Sequence, residues 1–409
     1  MITTSKDIEQ SPEDERIAQG LSGERFQTGR VLTIAAVHAV HDTYTAFLPP
    51  LLPEFISRFL LSKTKAGLLI VFLQIPSLLQ PVIGHLSDRV SLRYLVILAP
   101  AVTATMMSLL GVAPGYAVLA LLLTITGFSS AALHAVGPVM VGSVSGRSLG
   151  RGMSFWMVGG ELGRAFGPIV VVTVVKFLTP EGLPWLIPAG LLASAFLFIR
   201  LKKEPGHSPK VNLGLPWMSA LKRMRPVMGP LVGIIIVRIF LNSALTTFLP
   251  IFLNEQGADL WFAGFSLTIL EAAGVAGALL GGSISDRLGR RLVLFISLVT
   301  TPIFMFVFLT VSGWAQITIL PLLGFTSLSV TPVLMALVQE NFPENRALAN
   351  GLYMALAFTI RSGAVVLMGA MGDLIGLRQA FTASAVLMLL GIPLVLLLPN
   401  ERRLLDMEK

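Results

Sequence analysis

Cysteine is absent from this 409-residue chain, and charged side chains are scarce. No disulfide and no thiol chemistry is therefore possible, and cysteine usage says nothing about the compartment. Asp, Glu, Lys and Arg make up 13% of the residues, whereas a soluble domain usually has about 25%. With hydrophobic residues at 54%, too few polar side chains remain to cover a water-facing surface. The composition predicts a protein embedded in a lipid bilayer.

The polar residues that are present lie in short segments. The formal net charge is +8, but the basic residues are spread over turns and not over one polar face, so we do not expect a nucleic-acid partner. Residues 1–28 are polar, mixed in charge and without the apolar core of a cleaved signal peptide. We predict a disordered cytoplasmic tail for 1–28 and a second short cytoplasmic tail for 401–409.

Long apolar runs dominate the rest of the chain. Crossing a bilayer core of about 30 Å takes about 20 apolar residues as a helix, and the sequence contains twelve runs of that kind. We predict an all-α membrane protein with a six-helix half at 29–200, a linker at 201–226 and a second six-helix half at 227–400. The predicted spans, numbered 1 to 12, are 29–50, 65–86, 93–112, 115–143, 151–177, 183–200, 227–252, 261–282, 292–311, 315–339, 347–370 and 378–398.

Lys and Arg are concentrated in the linker, in the turns after the even-numbered spans and in both terminal segments. Loops on the cytoplasmic side of a membrane protein carry an excess of these residues. This distribution predicts a multi-pass protein of the inner or plasma membrane with both termini in the cytoplasm.

The two predicted halves share a sequence repeat. The segment GHLSDRVSLR begins at Gly84 and recurs as GSISDRLGRR from Gly282, at a distance of 282 − 84 = 198 residues. Arg164 and Arg361, in spans 5 and 11, are 361 − 164 = 197 residues apart. A repeat with this spacing predicts two halves of the same orientation, an architecture common among transporters.

The doubled segment resembles the motif that the major facilitator superfamily carries after its second and eighth helices. That resemblance implies the twelve-helix fold of two pseudo-symmetric halves, with spans 3, 6, 9 and 12 on the outside. The chain is most similar to the fosmidomycin-resistance group of exporters, in LLQPVIG from Leu78 and in VGGELGRAFGP from Val158.

An Asp-Arg pair at the end of a helix suits a latch between the cytoplasmic ends of the halves. The Asp can accept hydrogen bonds at a helix N-terminus, and the arginines can pair with acids. The alternative is that these residues only end the helix and set topology. The predicted latch residues are Gly84, Asp88, Arg89 and Arg93 in the first copy, and Gly282, Asp286, Arg287, Arg290 and Arg291 in the second.

Ionisable residues inside spans are costly in lipid and by default mark a pathway. Spans 3, 6, 9 and 12 have none in their apolar cores, in agreement with the outer positions that the resemblance implies. A buried carboxylate or imidazole can take up and release a proton, whereas arginine stays charged and suits a carboxylate or phosphonate. Candidates for proton coupling are Asp42, His41, His38, Glu271, Glu161 and His134. Candidates for substrate binding are Arg238, Arg361, Arg164, Asn242, Tyr44, Trp156 and Tyr353.

Internal pairing is the alternative for these groups. The formal charges of three carboxylates balance those of three arginines: Asp42, Glu161 and Glu271 against Arg164, Arg238 and Arg361. Glu161 and Arg164 stand at i and i+3, where they can pair along one helix. His38, His41 and Asp42 share a face of span 1 by the same spacing rule. No grouping in the sequence has the pattern of a metal site or of a hydrolytic triad.

The glycines of span 5 have a regular spacing. Gly159, Gly163 and Gly167, followed by Pro168, resemble the glycine stretch of proton-coupled exporters. Glycines four residues apart also lie on one helix face and allow close approach of another helix. Plain helix packing is therefore an equal interpretation.

The interpretation that accounts for most of these features is a secondary transporter that works by rocking of one half against the other. We predict proton-coupled export of small organic molecules, a class that includes antibiotics and organic anions. The expected partners are the substrate, protons and the lipid bilayer, and we expect a monomer. Uptake or exchange of an organic anion is the main alternative, and a non-transporting receptor or scaffold is a third. No cofactor beyond the proton gradient is expected, and the lack of a reactive cluster argues against an enzyme.

Overall fold

The computed structural model describes residues 26–87, 90–146, 148–201, 217–341 and 346–398, and these residues form helices joined by short turns. The predicted linker residues 202–216 and the predicted tails lie outside these ranges. The first half contains Thr28–Thr45 and Leu48–Phe59 (span 1), Lys63–Gln74 and Gln80–Ser87 (span 2), Arg93–Ser108 (span 3), Tyr116–Val144 (span 4), Leu149–Leu178 (span 5) and Ile187–Leu201 (span 6). The second half contains Trp217–Ser243 and Leu249–Glu255 (span 7), Leu260–Leu288 (span 8), Arg290–Thr310 (span 9), Trp314–Leu328 and Val330–Asn341 (span 10), Arg346–Ile375 (span 11), and Leu377–Leu389 and Gly391–Leu396 (span 12).

Eleven stretches of the described part are long and apolar enough to cross a membrane. They correspond to spans 2 to 12, so the twelve-span architecture holds, with span 1 as the polar exception. Its helix is interrupted after Thr45, and its apolar part contains two histidines and an aspartate. One boundary differs from the sequence prediction: residues 217–226, assigned there to the linker, already form the beginning of the span 7 helix.

Spans 1 and 7 are both interrupted at the same point of the repeat. In span 1 the helix stops at Thr45 and restarts at Leu48, with proline in the first turn of the new helix. In span 7 the residues Ala244–Phe248 form a π-helical turn before a helix that also starts with proline. Proline has no N–H to donate to the preceding turn, so the ladder of helical hydrogen bonds must break or widen there.

Span 5 packs closely along span 1 through its three spaced glycines. Each glycine faces a carbonyl oxygen of a successive turn of span 1. A Cβ atom at Gly159, Gly163 and Gly167 would lie 2.3, 2.4 and 2.4 Å from the carbonyl oxygens of Ala35, Ala39 and Thr43. Only a residue without a side chain fits this separation, so the backbones of the two spans are in direct contact.

The two halves also touch through glycine, at the side of the bundle where the turns contain few arginines. We call this the arginine-poor side; it contains the turns near residues 61, 179, 257 and 376. A Cβ atom at Gly67 would lie 2.8 Å from the carbonyl oxygen of Val365, and one at Gly369 would lie 2.5 Å from that of Lys63. Span 2 of one half therefore lies against span 11 of the other, and the central charges are closed off from this side.

Candidate functional site

The site is a set of charged and polar side chains on the spans that face the centre of the bundle. In the first half, Asp42 lies between two histidines. Its carboxylate is 3.3 Å (Oδ2) from Nε2 of His38 and 3.8 Å (Oδ1) from Nε2 of His134. The two Nε2 atoms are 3.2 Å apart. His38 and Asp42 are almost fully buried, whereas the His134 side chain is 30% exposed, so the cluster has one accessible edge.

Trp156 of span 5 holds this cluster in place. Its indole stacks on the His38 ring at a centroid distance of 3.7 Å, and its backbone carbonyl lies 2.8 Å from Nδ1 of His38. Gly160 gives the ring its room, because a Cβ there would lie 2.5 Å from Cε1 of His38. Trp156, a candidate for substrate contact, thus lies inside the first half and orients a histidine.

His41 borders this cluster, with its ring 6.0 Å from that of His134 between centroids, but its hydrogen bond goes elsewhere. It is fully buried and its Nδ1 is 3.0 Å from the hydroxyl of Thr103 on span 3, while its Nε2 has no hydrogen-bond partner. The sequence gives no indication that Thr103 contacts a histidine, since a threonine is an ordinary residue in an apolar span. Tyr44 is likewise engaged within its half, because its hydroxyl donates to the carbonyl of Leu186 at 2.5 Å.

The interface between the halves contains a row of alternating charges. Glu161 and Arg164 of span 5 form the ion pair that their i, i+3 spacing allows. Arg164 also interacts electrostatically with Glu271 of span 8, and Glu271 interacts with Arg361 of span 11. Arg164 belongs to the first half, and the other two belong to the second. Glu271 therefore interacts with one arginine from each half, and also with the like charge of Glu161.

Arg238 of span 7 is more deeply buried than Arg361. Arg238 donates a hydrogen bond of 2.8 Å to the carbonyl of Ser327, and its Nε has no partner. Tyr353, almost fully buried, interacts electrostatically with Arg238, and Asn242 lies one helical turn further along. Arg361 donates to the hydroxyl of Thr246 at 3.3 Å, and its Nε is also buried without a partner. Both guanidinium groups thus retain unused hydrogen-bonding capacity beside the centre of the bundle.

The second copy of the repeated motif forms contacts within its own half. Arg290 pairs with Asp286 at 2.5 Å and with Glu340, at the end of span 10, at 2.7 Å. Arg291 donates to the carbonyl of Leu396 at 2.8 Å, while Arg287 is exposed. This copy therefore joins spans 8, 9, 10 and 12, and the latch between the halves stays a prediction.

The first copy is described only in part. Asp88 and Arg89 lie outside the described residues, and Arg93 begins span 3. A Cβ atom at Gly84 or at Gly282 would have nothing within 4 Å. The two motif glycines therefore face open space here, in contrast to the tight glycine contacts of the arginine-poor side.

A carboxylate that the sequence analysis missed closes the arginine-poor side. Asp373, near the end of span 11, accepts hydrogen bonds from the backbone N–H groups of Lys63 and Thr64 at 2.7 and 2.9 Å and from the Thr64 hydroxyl at 2.6 Å. It caps the N-terminus of span 2, where the helix dipole favours an anion. Lys63 also pairs with Glu255 of span 7 at 2.7 Å. The sequence gives no indication of this role for Asp373, because its partners lie in the other half of the chain.

We expect Asp373→Asn to open the arginine-poor side. The substitution removes charge-assisted hydrogen bonds of about 1.5–3 kcal/mol, so the ratio of molecules closed to molecules open at this side should fall by about 10-fold or more. The native chain has no cysteine, so one cysteine introduced at Val365 or Val172 reports opening through its rate of reaction with a water-soluble maleimide. The faster reaction should be absent in Asp259→Asn, which makes the same change at the N-cap of span 8, within one half. Equal labelling rates in Asp373→Asn and the unsubstituted background would contradict this role.

The sequence matches a known protein family and several known proteins. The family model described as Major Facilitator Superfamily matches residues 34–360 and, in a second match, 263–406. The chain is 23% identical over 386 residues to the fosmidomycin resistance protein of Escherichia coli (strain K12), covering 92% of this chain and 94% of that protein. It is 26% identical over 385 residues to the uncharacterized MFS-type transporter YfnC of Bacillus subtilis (strain 168), covering 91% and 93%.

Solved structures show the same fold. A bacterial homologue of the human lysosomal transporter Spinster, in an inward-facing and occupied conformation, superposes with a TM-score of 0.77 at 14% identity, covering 91% of this chain and 96% of that one. A D-xylose-proton symporter superposes with a TM-score of 0.71 at 16% identity, covering 90% and 97%. At these identities the likeness concerns the arrangement of helices alone.

Proposed function

Because the chain belongs to the major facilitator superfamily, which makes it a membrane transporter and not an enzyme, we propose that it moves a small organic anion in a cycle coupled to protons. The observation that carries this proposal is the row Arg164–Glu271–Arg361 across the two halves. Arginine stays charged at any physiological pH and offers a planar fork to a carboxylate or phosphonate. The buried, unpartnered Nε atoms of Arg238 and Arg361 leave donors for such a ligand.

The proton enters this scheme at Glu271. When ionised, it holds the arginines of the two halves together; when protonated, it leaves Arg164 and Arg361 to repel each other. An anionic substrate can then take the place of the carboxylate between them. Anion binding therefore favours proton uptake at Glu271, so that in this arrangement anion and proton move in the same direction.

Export in exchange for protons is the second candidate function. It is supported by the similarity to the fosmidomycin resistance protein over 92% of the chain. Exchange requires that substrate and proton exclude each other, which a neutral or cationic substrate could achieve by competing with the proton for a carboxylate. For this function we propose the plasma membrane as the location, with the arginine-rich turns and both termini in the cytoplasm.

Transport in proteoliposomes decides between the two candidates. With fosmidomycin, a phosphonate, and a panel of carboxylates as probes, an acidic exterior should drive accumulation if anion and proton move together. The same gradient should drive release of preloaded substrate if they exchange. The variant Arg361→Gln removes one guanidinium group of the proposed site, and it should reduce the flux in either direction towards that of liposomes without protein. Equal flux with and without the gradient would contradict proton coupling.

A further inference from the structure

The two histidines of the first-half cluster have their ring hydrogens fixed by backbone carbonyls. Nδ1 of His38 lies 2.8 Å from the carbonyl oxygen of Trp156, and Nδ1 of His134 lies 2.8 Å from that of Ser130. A carbonyl oxygen only accepts hydrogen bonds, so each Nδ1 carries the hydrogen and each neutral ring has a lone pair at Nε2. These are the two atoms that lie 3.2 Å apart.

Two lone pairs facing each other repel, and Asp42 adds a negative charge to the same point. Its two carboxylate oxygens lie 3.3 and 3.8 Å from Nε2 of His38 and of His134. The three ligand atoms all lie within 4.8 Å of one another. Such a convergence of electron pairs in a buried place is stable only when a cation lies between them, and the cation is either a proton on one ring or a metal ion.

The distances suit a metal ion. Bonds of about 2.0–2.2 Å to nitrogen and oxygen in a tetrahedron put ligand atoms about 3.3–3.6 Å apart. The two Nε2 atoms are 3.2 Å apart, and each lies 3.3 or 3.8 Å from a different oxygen of Asp42, so a small rotation of the carboxylate or the use of both its oxygens completes the set. Metal-binding histidines usually donate their other ring hydrogen to a carbonyl or carboxylate, as both rings do here. The sequence did not reveal this set, because His134 lies 96 residues from His38, and the i, i+4 pair of His38 and Asp42 supplies only two ligands.

We propose that His38, Asp42 and His134 form a binding site for one divalent transition-metal ion, with Zn²⁺ as the representative. Three protein ligands leave a fourth tetrahedral position, and the His134 side chain, 30% exposed, leaves the cluster accessible to a ligand there. Arg164 interacts electrostatically with Asp42 and His134, and its ion pair with Glu161 reduces the repulsion that it exerts on a cation bound there. All three ligands belong to spans 1 and 4 of one half, so the ion does not tie the halves together.

Zinc binding to the purified full-length protein tests this proposal. After treatment with a chelator, the detergent-solubilised transporter is dialysed against Zn²⁺ and the bound metal is measured by elemental analysis, with the visible spectrum of bound Co²⁺ as a report on coordination. We expect one saturable ion per wild-type chain. His134→Ala and Asp42→Asn should lower the affinity by at least about 100-fold, since loss of a ligand costs no less than loss of an outer-shell partner.

His41→Gln is the matched control. It removes a buried imidazole that lies on the same face of span 1 but is not one of the three ligands. This variant should bind Zn²⁺ with the affinity of the wild type. His134→Gln, which preserves size and polarity, replaces His134→Ala if the latter does not elute as a folded monodisperse species. Absence of saturable binding to the wild type, undiminished binding by the His134 variants, or equal loss in His41→Gln would each overturn the proposal. If the wild type shows no saturable binding, the cluster holds only a shared proton.

Discussion

Gly159→Leu is expected to leave almost no folded transporter in the membrane. A Cβ atom at this position would lie 2.3 Å from the carbonyl oxygen of Ala35 and 3.0 Å from its carbonyl carbon, and both are backbone atoms that cannot rotate away. Overpacking a core usually costs about 1–3 kcal/mol, and a rigid backbone neighbour puts this change at or beyond the upper end. The spans would have to separate along their whole contact, because the glycines one and two turns further on also touch span 1.

The comparison variant is Gly229→Leu, which adds the same side chain to a helix at an exposed position where a Cβ meets nothing within 4 Å. Both changes raise helix propensity by the same amount, so any difference comes from packing. The measurement is the yield of monodisperse protein in detergent and its thermal midpoint. Similar yields and midpoints for the two variants would show that spans 1 and 5 are not in direct contact.

Glu271→Gln is expected to reduce gradient-driven transport to the level of liposomes without protein, while exchange of internal for external substrate continues. The amide has the shape of the protonated carboxyl but cannot release a proton, so the variant is held in one of its two charge states. Arg164 and Arg361 then lack the anion between them. Exchange needs no net proton movement, so the loaded carrier can still alternate.

The paired measurement is initial flux under an imposed pH gradient and counterflow at equal pH, in the same proteoliposome preparation. Glu181→Gln provides the control, because it removes an exposed carboxylate from the turn after span 5, away from the centre of the bundle. Its gradient-driven flux should match the wild type. Retained gradient-driven flux in Glu271→Gln would remove Glu271 from the coupling step, and loss of counterflow together with net flux would mean a role in substrate binding.

The twelve spans and the two-fold repeat were predictable from the sequence, because the length of apolar runs and the spacing of arginine turns are local properties. The Glu161–Arg164 pair also follows from spacing within one helix. The joining of His134 to His38 and Asp42, by contrast, depends on how span 4 packs against span 1. The cap that Asp373 forms on Lys63 and Thr64 joins residues 310 and 309 positions apart. Contacts of this kind depend on tertiary packing, for which hydrophobic periodicity contains no information.

The break in span 1 and the π-helical turn in span 7 each separate an outer segment from an inner one. The outer segment of span 1 is Leu48–Phe59, and that of span 7 is Leu249–Glu255. The histidine and aspartate cluster lies on the inner segment of span 1, while the outer segments lead to the contact between Lys63 and Glu255. Regular helical hydrogen bonds are missing at both points, so bending costs less there than elsewhere in these spans. We expect the outer segments, which carry the contacts at the mouth, to adjust more easily than the inner segments that carry the central charges.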